Sequence, residues 1–160
     1  MKNLIVYLPC IIASLALMPP ASAQTDNGKR LSQFNLDKTV AIEGYDPVAY
    51  FTQNKAVAGN KANAYQHGGV TYYFSSKANL EAFQKEPARY EPEYGGWCAY
   101  AMGATGEKVE IDPKTFKIKD GKLYLFYNQF FNNTLPKWNK DEVNLKKKAD
   151  SSWMKFYKVS

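Results

Sequence analysis

Asp120-Gly121 stands between two runs of β character, Phe116 to Lys119 and Lys122 to Tyr127. An Asp-Gly pair takes the left-handed backbone of a two-residue hairpin loop at little cost, so this stretch is predicted to fold back on itself as an antiparallel hairpin. A second break, His67-Gly68-Gly69, separates Ala64 to Gln66 from Val70 to Phe74 and predicts another hairpin. Strand character also marks Thr39 to Ile42. Helical signals lie between these. Ser76 is placed to cap a helix over 77–85, in which Ala78 with Ala82 and Leu80 with Phe83 recur at helical spacing and Pro87 sets the limit. Asp46 before Pro47 is a helix cap followed by a helix-compatible proline, and Val48 to Thr52 is predicted as one turn.

Further along, Gly95-Gly96 feeds a short helix over 97–102 that stops at Gly103. Asn128 is predicted to cap a helix through Phe131. Leu135, Trp138, Leu145, Ala149, Trp153 and Phe156 recur mostly every three, four or seven residues, which predicts one or two amphipathic helices burying those side chains. The fold expected is α+β, a small antiparallel sheet with hairpins packed against several short helices. One domain is expected over 39–157, including this C-terminal helical extension.

Residues 1–23 read as a secretory signal: Lys2 is the positive start, Leu4 to Leu17 is mostly apolar, and Ala21-Ser22-Ala23 offers small residues for cleavage. The apolar run is broken by Pro9, Pro19 and Pro20, and falls short of the roughly 20 residues that cross a bilayer. No later segment is apolar enough to span one. The chain is therefore read as exported, to the periplasm or beyond. Residues 24–38 are expected to be a flexible polar lead.

Cleavage removes Cys10 and leaves one cysteine, Cys98. No intramolecular disulfide can then form, and stability rests on packing. The material for it is aromatic: 12 Tyr, 9 Phe and 3 Trp, whose polar tips need partners. The formal charge of +6 is modest, and its one basic run is Lys146-Lys147-Lys148, so neither charge nor an exported location favours a nucleic-acid partner.

Cys98 is the chief chemical handle. At the start of a helix its thiolate would be stabilised by free N–H groups, suiting it to act as a nucleophile or soft-metal ligand. Without a second cysteine it cannot run a dithiol cycle; reduction of a peroxide through a sulfenic acid, resolved by a small external thiol, stays open. Met102, four residues on, would share its helix face and could join it on Cu(I), with His67 as a third ligand. Each has a bland reading beside it: a buried packing thiol, a core methionine, an exposed turn histidine. On the bland reading the chain is a non-catalytic module that binds a ligand or protein.

Four separated motifs agree in order: Gly44-Tyr45-Asp46-Pro47-Val48-Ala49-Tyr50-Phe51; Gly69-Val70-Thr71-Tyr72-Tyr73-Phe74-Ser75-Ser76; Phe83 with Pro87 and Tyr90; and Tyr94 to Tyr100. Together they resemble the secreted branch of the YHS-domain family. The resemblance implies metal binding, since YHS domains are held to use a histidine and two cysteines around a strand-to-helix junction. The matching positions here are Tyr73, Ser75 and Asn79, none of them a soft ligand. Some secreted members are thought to carry selenocysteine where this chain has Cys98, which implies a chemical role at that position.

Overall fold

The computed structural model of the protein describes residues 21–157, with side chains from Asp26 onward. The expected leader, residues 1–23, lies outside them but for its last three positions. The architecture is α+β, as expected. Four strands form the larger sheet: β1 (Leu36–Asp37), β2 (Val40–Ala41), β3 (Asn60–His67) and β4 (Val70–Phe74), in the order β1-β2-β4-β3. Only the β2–β4 pair is parallel. His67 faces Val70 across the Gly68-Gly69 turn, and both glycines have positive φ, so the predicted hairpin forms. Asp120-Gly121 likewise joins β5 (Asp112–Lys119) to β6 (Lys122–Phe126).

Around the sheets lie seven described α-helices: α1 (Ala21–Gln33), α2 (Ala49–Thr52), α3 (Lys77–Lys85), α4 (Pro87–Tyr90), α5 (Ala99–Ala104), α6 (Leu135–Lys140) and α7 (Glu142–Phe156). Ser76 caps α3 by accepting the Asn79 N–H at 3.1 Å. Strand β4 buries Val70, Tyr72 and Phe74 on one face, and Phe83 of α3 packs against Tyr72 and Phe74 with ring centres 4.7 and 5.2 Å away. Strand β6 is apolar on both faces and acts as a septum. Leu123 and Leu125 enter the core of the larger sheet; Tyr124 and Phe126 enter a second core with Trp138, Leu145 and Ala149. In that second core α5 and α7 approach so closely that a Cβ on Gly103 would sit 2.4 Å from the Leu145 carbonyl oxygen, so only glycine fits there.

Three local expectations are corrected. Ten of the fifteen residues of the expected lead, 24–33, are helical and belong to α1. Its anchors are polar, which hides them from a search for apolar periodicity. Arg30 is buried and forms an ion pair with Glu91, donates from Nε to the Gly68 carbonyl at 3.2 Å, and lies 4.6 Å over the Phe34 ring. The helix expected after Asn128 is instead a third hairpin, β7 (Asn128–Gln129) and β8 (Asn132–Asn133). The Asn128 amide is spent on the Thr115 hydroxyl of β5 at 3.0 Å, while the Thr134 N–H and hydroxyl both return to the Tyr127 carbonyl, at 3.0 and 2.9 Å. The C-terminal helices bury Trp138, Leu145 and Ala149 as expected, but Phe156 remains 36% exposed at the last turn of α7.

Three of the five buried tyrosines have hydrogen-bond partners for their hydroxyls. Tyr50 donates to the Pro113 carbonyl, Tyr72 to Glu91 and Tyr94 to Asp150. The Tyr124 hydroxyl is buried with no partner among the described residues. Burial, reinforced by nearby carboxylates, holds these four phenols above the ordinary tyrosine range.

Candidate functional site

Cys98 occupies the N-cap position of α5, as its place after Gly95-Gly96 predicts, but its sulfur makes no cap bond. The side chain is 0% exposed. The Tyr127 N–H donates to Sγ at 3.3 Å. Thr134 Oγ1 lies 3.5 Å from Sγ and gives its own proton to the Tyr127 carbonyl, so the thiol proton is directed at the threonine oxygen. The Cys98 backbone is also engaged, its N–H on the Val109 carbonyl at 2.9 Å and its carbonyl receiving the Met102 N–H at 3.0 Å. Every polar atom of this residue is matched. Tyr127 and Thr134 are the residues that bracket the β7–β8 hairpin, so the sulfur braces that hairpin at its root.

The bonds of the sulfur do not include either of the two other expected ligands. Met102 is fully buried, but in the second core, whereas Cys98 packs in the first. The expected shared face requires both residues to be helical, and Cys98 at the cap is not. His67 ends β3, half-buried, with its ring edge-on to Phe83 at 6.1 Å. Among the described residues no group of three or more His, Cys, Asp or Glu side chains is arranged to hold a metal ion. The described surface hollows have other linings. One, of about 390 Å³, lies between residues 103–106 and Lys148, Ser152 and Lys155 of α7.

A second buried polar centre was only half visible in the sequence. Asp46 is completely buried. Its Oδ1 accepts the N–H groups of Val48 at 2.9 Å and Ala49 at 3.3 Å, which is the predicted cap. Its Oδ2 accepts three more donors: the Ser75 N–H at 2.8 Å, the Ser75 hydroxyl at 2.6 Å and the Asn79 side-chain amide at 2.7 Å. Five neutral donors thus solvate one carboxylate and join α2 to the end of β4 and the start of α3. Two of the three positions at which the YHS resemblance implies a metal meet here, Ser75 and Asn79. Tyr73 lies on the other face of β4, its ring against Gly44. A polar pair spaced i, i+4 at the strand-to-helix junction was the signal that could have pointed from Ser75 and Asn79 to a buried acid.

Neither centre fits a soft metal ion. The Asp46 cluster presents hydroxyl, amide and carboxylate groups already bonded to one another, and the Cys98 sulfur is engaged by a backbone N–H and a threonine hydroxyl.

Residues 48–94 match the YHS domain. Ser75, Asn79 and His67 fall within that segment; Asp46, Cys98 and Met102 fall outside it. The chain has no match among the curated proteins or the solved structures.

Proposed function

We propose that this chain is an exported, YHS-type binding and interaction module, with Cys98 serving as a packing and bracing residue. The observation that carries this reading is the state of the Cys98 sulfur: fully buried, receiving one backbone N–H and directed at one threonine hydroxyl. A nucleophile or metal-loading thiol needs access, and this sulfur has none in the folded chain. Export is supported by the leader-like residues 1–23, and it argues for a protein, small ligand or surface as partner and against nucleic acid.

The YHS match favours a second reading, in which the domain takes a soft metal, copper; of the ligands expected from the sequence, Cys98, Met102 and His67, only His67 lies within the match. The test is alkylation of the purified protein across pH, native and in urea, with and without Cu(I) under anaerobic conditions. The module reading expects reaction only after unfolding and no effect of copper. Rapid native alkylation that copper blocks would establish the metal reading. Rapid alkylation without protection, together with sulfenic acid formed by peroxide, would establish one-cysteine redox chemistry.

A further inference from the structure

The β7–β8 hairpin turns through Phe130 and Phe131, and φ of +50° and +59° places both in the left-handed region. Phe130 is 84% exposed and Phe131 fully exposed, at 111%. The other two hairpin turns use Gly68-Gly69 and Asp120-Gly121 for the same backbone. A left-handed conformation crowds the Cβ of an L-residue against its own carbonyl oxygen, and two adjacent phenylalanines suffer it twice. Water contact brings the rings no compensating burial. Local preference and solvation both oppose these residues at this place.

The surroundings nonetheless hold the tip in position. Thr134 closes the root on Tyr127, Cys98 braces it from below, and Asn133 Oδ1 accepts the Leu135 N–H at 3.0 Å. Lys137 Nζ donates to Asn132 Oδ1 at 2.7 Å. Layers of distinct chemistry result: two apolar rings at the apex, a collar of uncharged amides from Asn128, Gln129, Asn132 and Asn133, and cations behind. From Gly121 to Lys140 the charged residues are Lys122, Lys137 and Lys140, bounded by Asp120 and Asp141; Lys122 is paired with Glu93 at 3.0 Å, which leaves Lys137 and Lys140 as the cations behind the tip. Lys137 bonds an amide, so its charge is not neutralised there.

We propose that the Phe130–Phe131 tip inserts into the interfacial layer of a bilayer that carries anionic lipid, with Lys137 and Lys140 at the level of the headgroups. A convex apolar apex needs no matching pocket in a fluid layer, and Lys137 and Lys140 behind it complement a negative surface. This rests on the reading of the chain as a binding module in which Cys98 supports the hairpin, and it names that module's partner.

The test is co-sedimentation of the purified protein with vesicles of phosphatidylcholine, with and without phosphatidylglycerol, at low and high salt. Binding is expected only with the anionic lipid and should weaken as salt rises. Phe130→Asn combined with Phe131→Gly should weaken binding by about tenfold or more while raising the melting temperature, because Asn-Gly suits the turn. Lys137→Gln should weaken it about fivefold. Failure of the unmodified protein to sediment with anionic vesicles overturns the proposal, as does equal binding by the Asn-Gly variant; capture of a protein by the tip without vesicle binding would do the same. Thiol alkylation reads the state of Cys98 separately, so loss of either proposal is recognised without the other.

Discussion

Asp46 and Cys98 are both fully buried, both sit at the start of a short helix, and both join elements distant in sequence, yet they are built from opposite materials. Asp46 is a charge solvated by five neutral donors, and it organises the part of the chain that matches the YHS domain. Cys98 is a weakly polar thiol with two partners, and it supports a hairpin beyond that match. Where the fold must fix a strand end and two helix starts at one point, it uses strong charge-assisted bonds. Where it seats a small hairpin on an aromatic core, a soft, space-filling group suffices.

The difference should appear first as stability. Asp46→Ala leaves several buried donors without an acceptor and is expected to destabilise by about 3–5 kcal/mol, read from the urea midpoint. A loss under about 1 kcal/mol would mean that water reaches the cluster and that Asp46 is not the organising charge. Cys98→Ala removes a buried sulfur and two weak bonds, for an expected loss of about 2 kcal/mol, with Cys98→Ser recovering part of it because the hydroxyl keeps a donor and an acceptor. If Cys98→Ala proved as damaging as Asp46→Ala, the contrast between the two centres would collapse. The smallest effect tests the septum strand between the two cores. Tyr124→Phe deletes a hydroxyl that has no partner, and should leave stability unchanged or raise it by about 0.5–1 kcal/mol in thermal unfolding.

Much of the fold was legible because its signals are local. Asp120-Gly121, Gly68-Gly69, Ser76 and the Asp46-Pro47 cap each work through the few residues around them, and each forms as read. Helix α1 was hidden because Arg30 finds its acid 61 residues away, and hydrophobic spacing carries no trace of an ion pair. The Phe130-Phe131 turn was hidden because its residues contradict its backbone: only the closure by Thr134 and the support of Cys98 show why a hairpin forms there. The candidate site followed the same division. The position of Cys98 at a helix start was readable, but the direction of its sulfur was not, and the cap role of Asp46 was readable while its bonds to Ser75 and Asn79, 29 and 33 residues away, were not.

The ion pair between Arg30 and Glu91 bears on how far this domain is modular. Burial alone would oppose the Arg30 charge, but the hydrogen bond and attraction of Glu91 outweigh it and leave the guanidinium firmly protonated. Glu91 also receives the Tyr72 hydroxyl, and both lie inside the segment that matches the YHS domain, while Arg30 comes from α1 and Asp46 from just before the match. Transplanted alone into another protein, residues 48–94 would carry a half-buried carboxylate stripped of its counter-ion and a serine–asparagine pair stripped of its acceptor. The stretch that matches the domain thus draws the partners of its buried charges from flanks outside the match, and it is expected to fold only together with them.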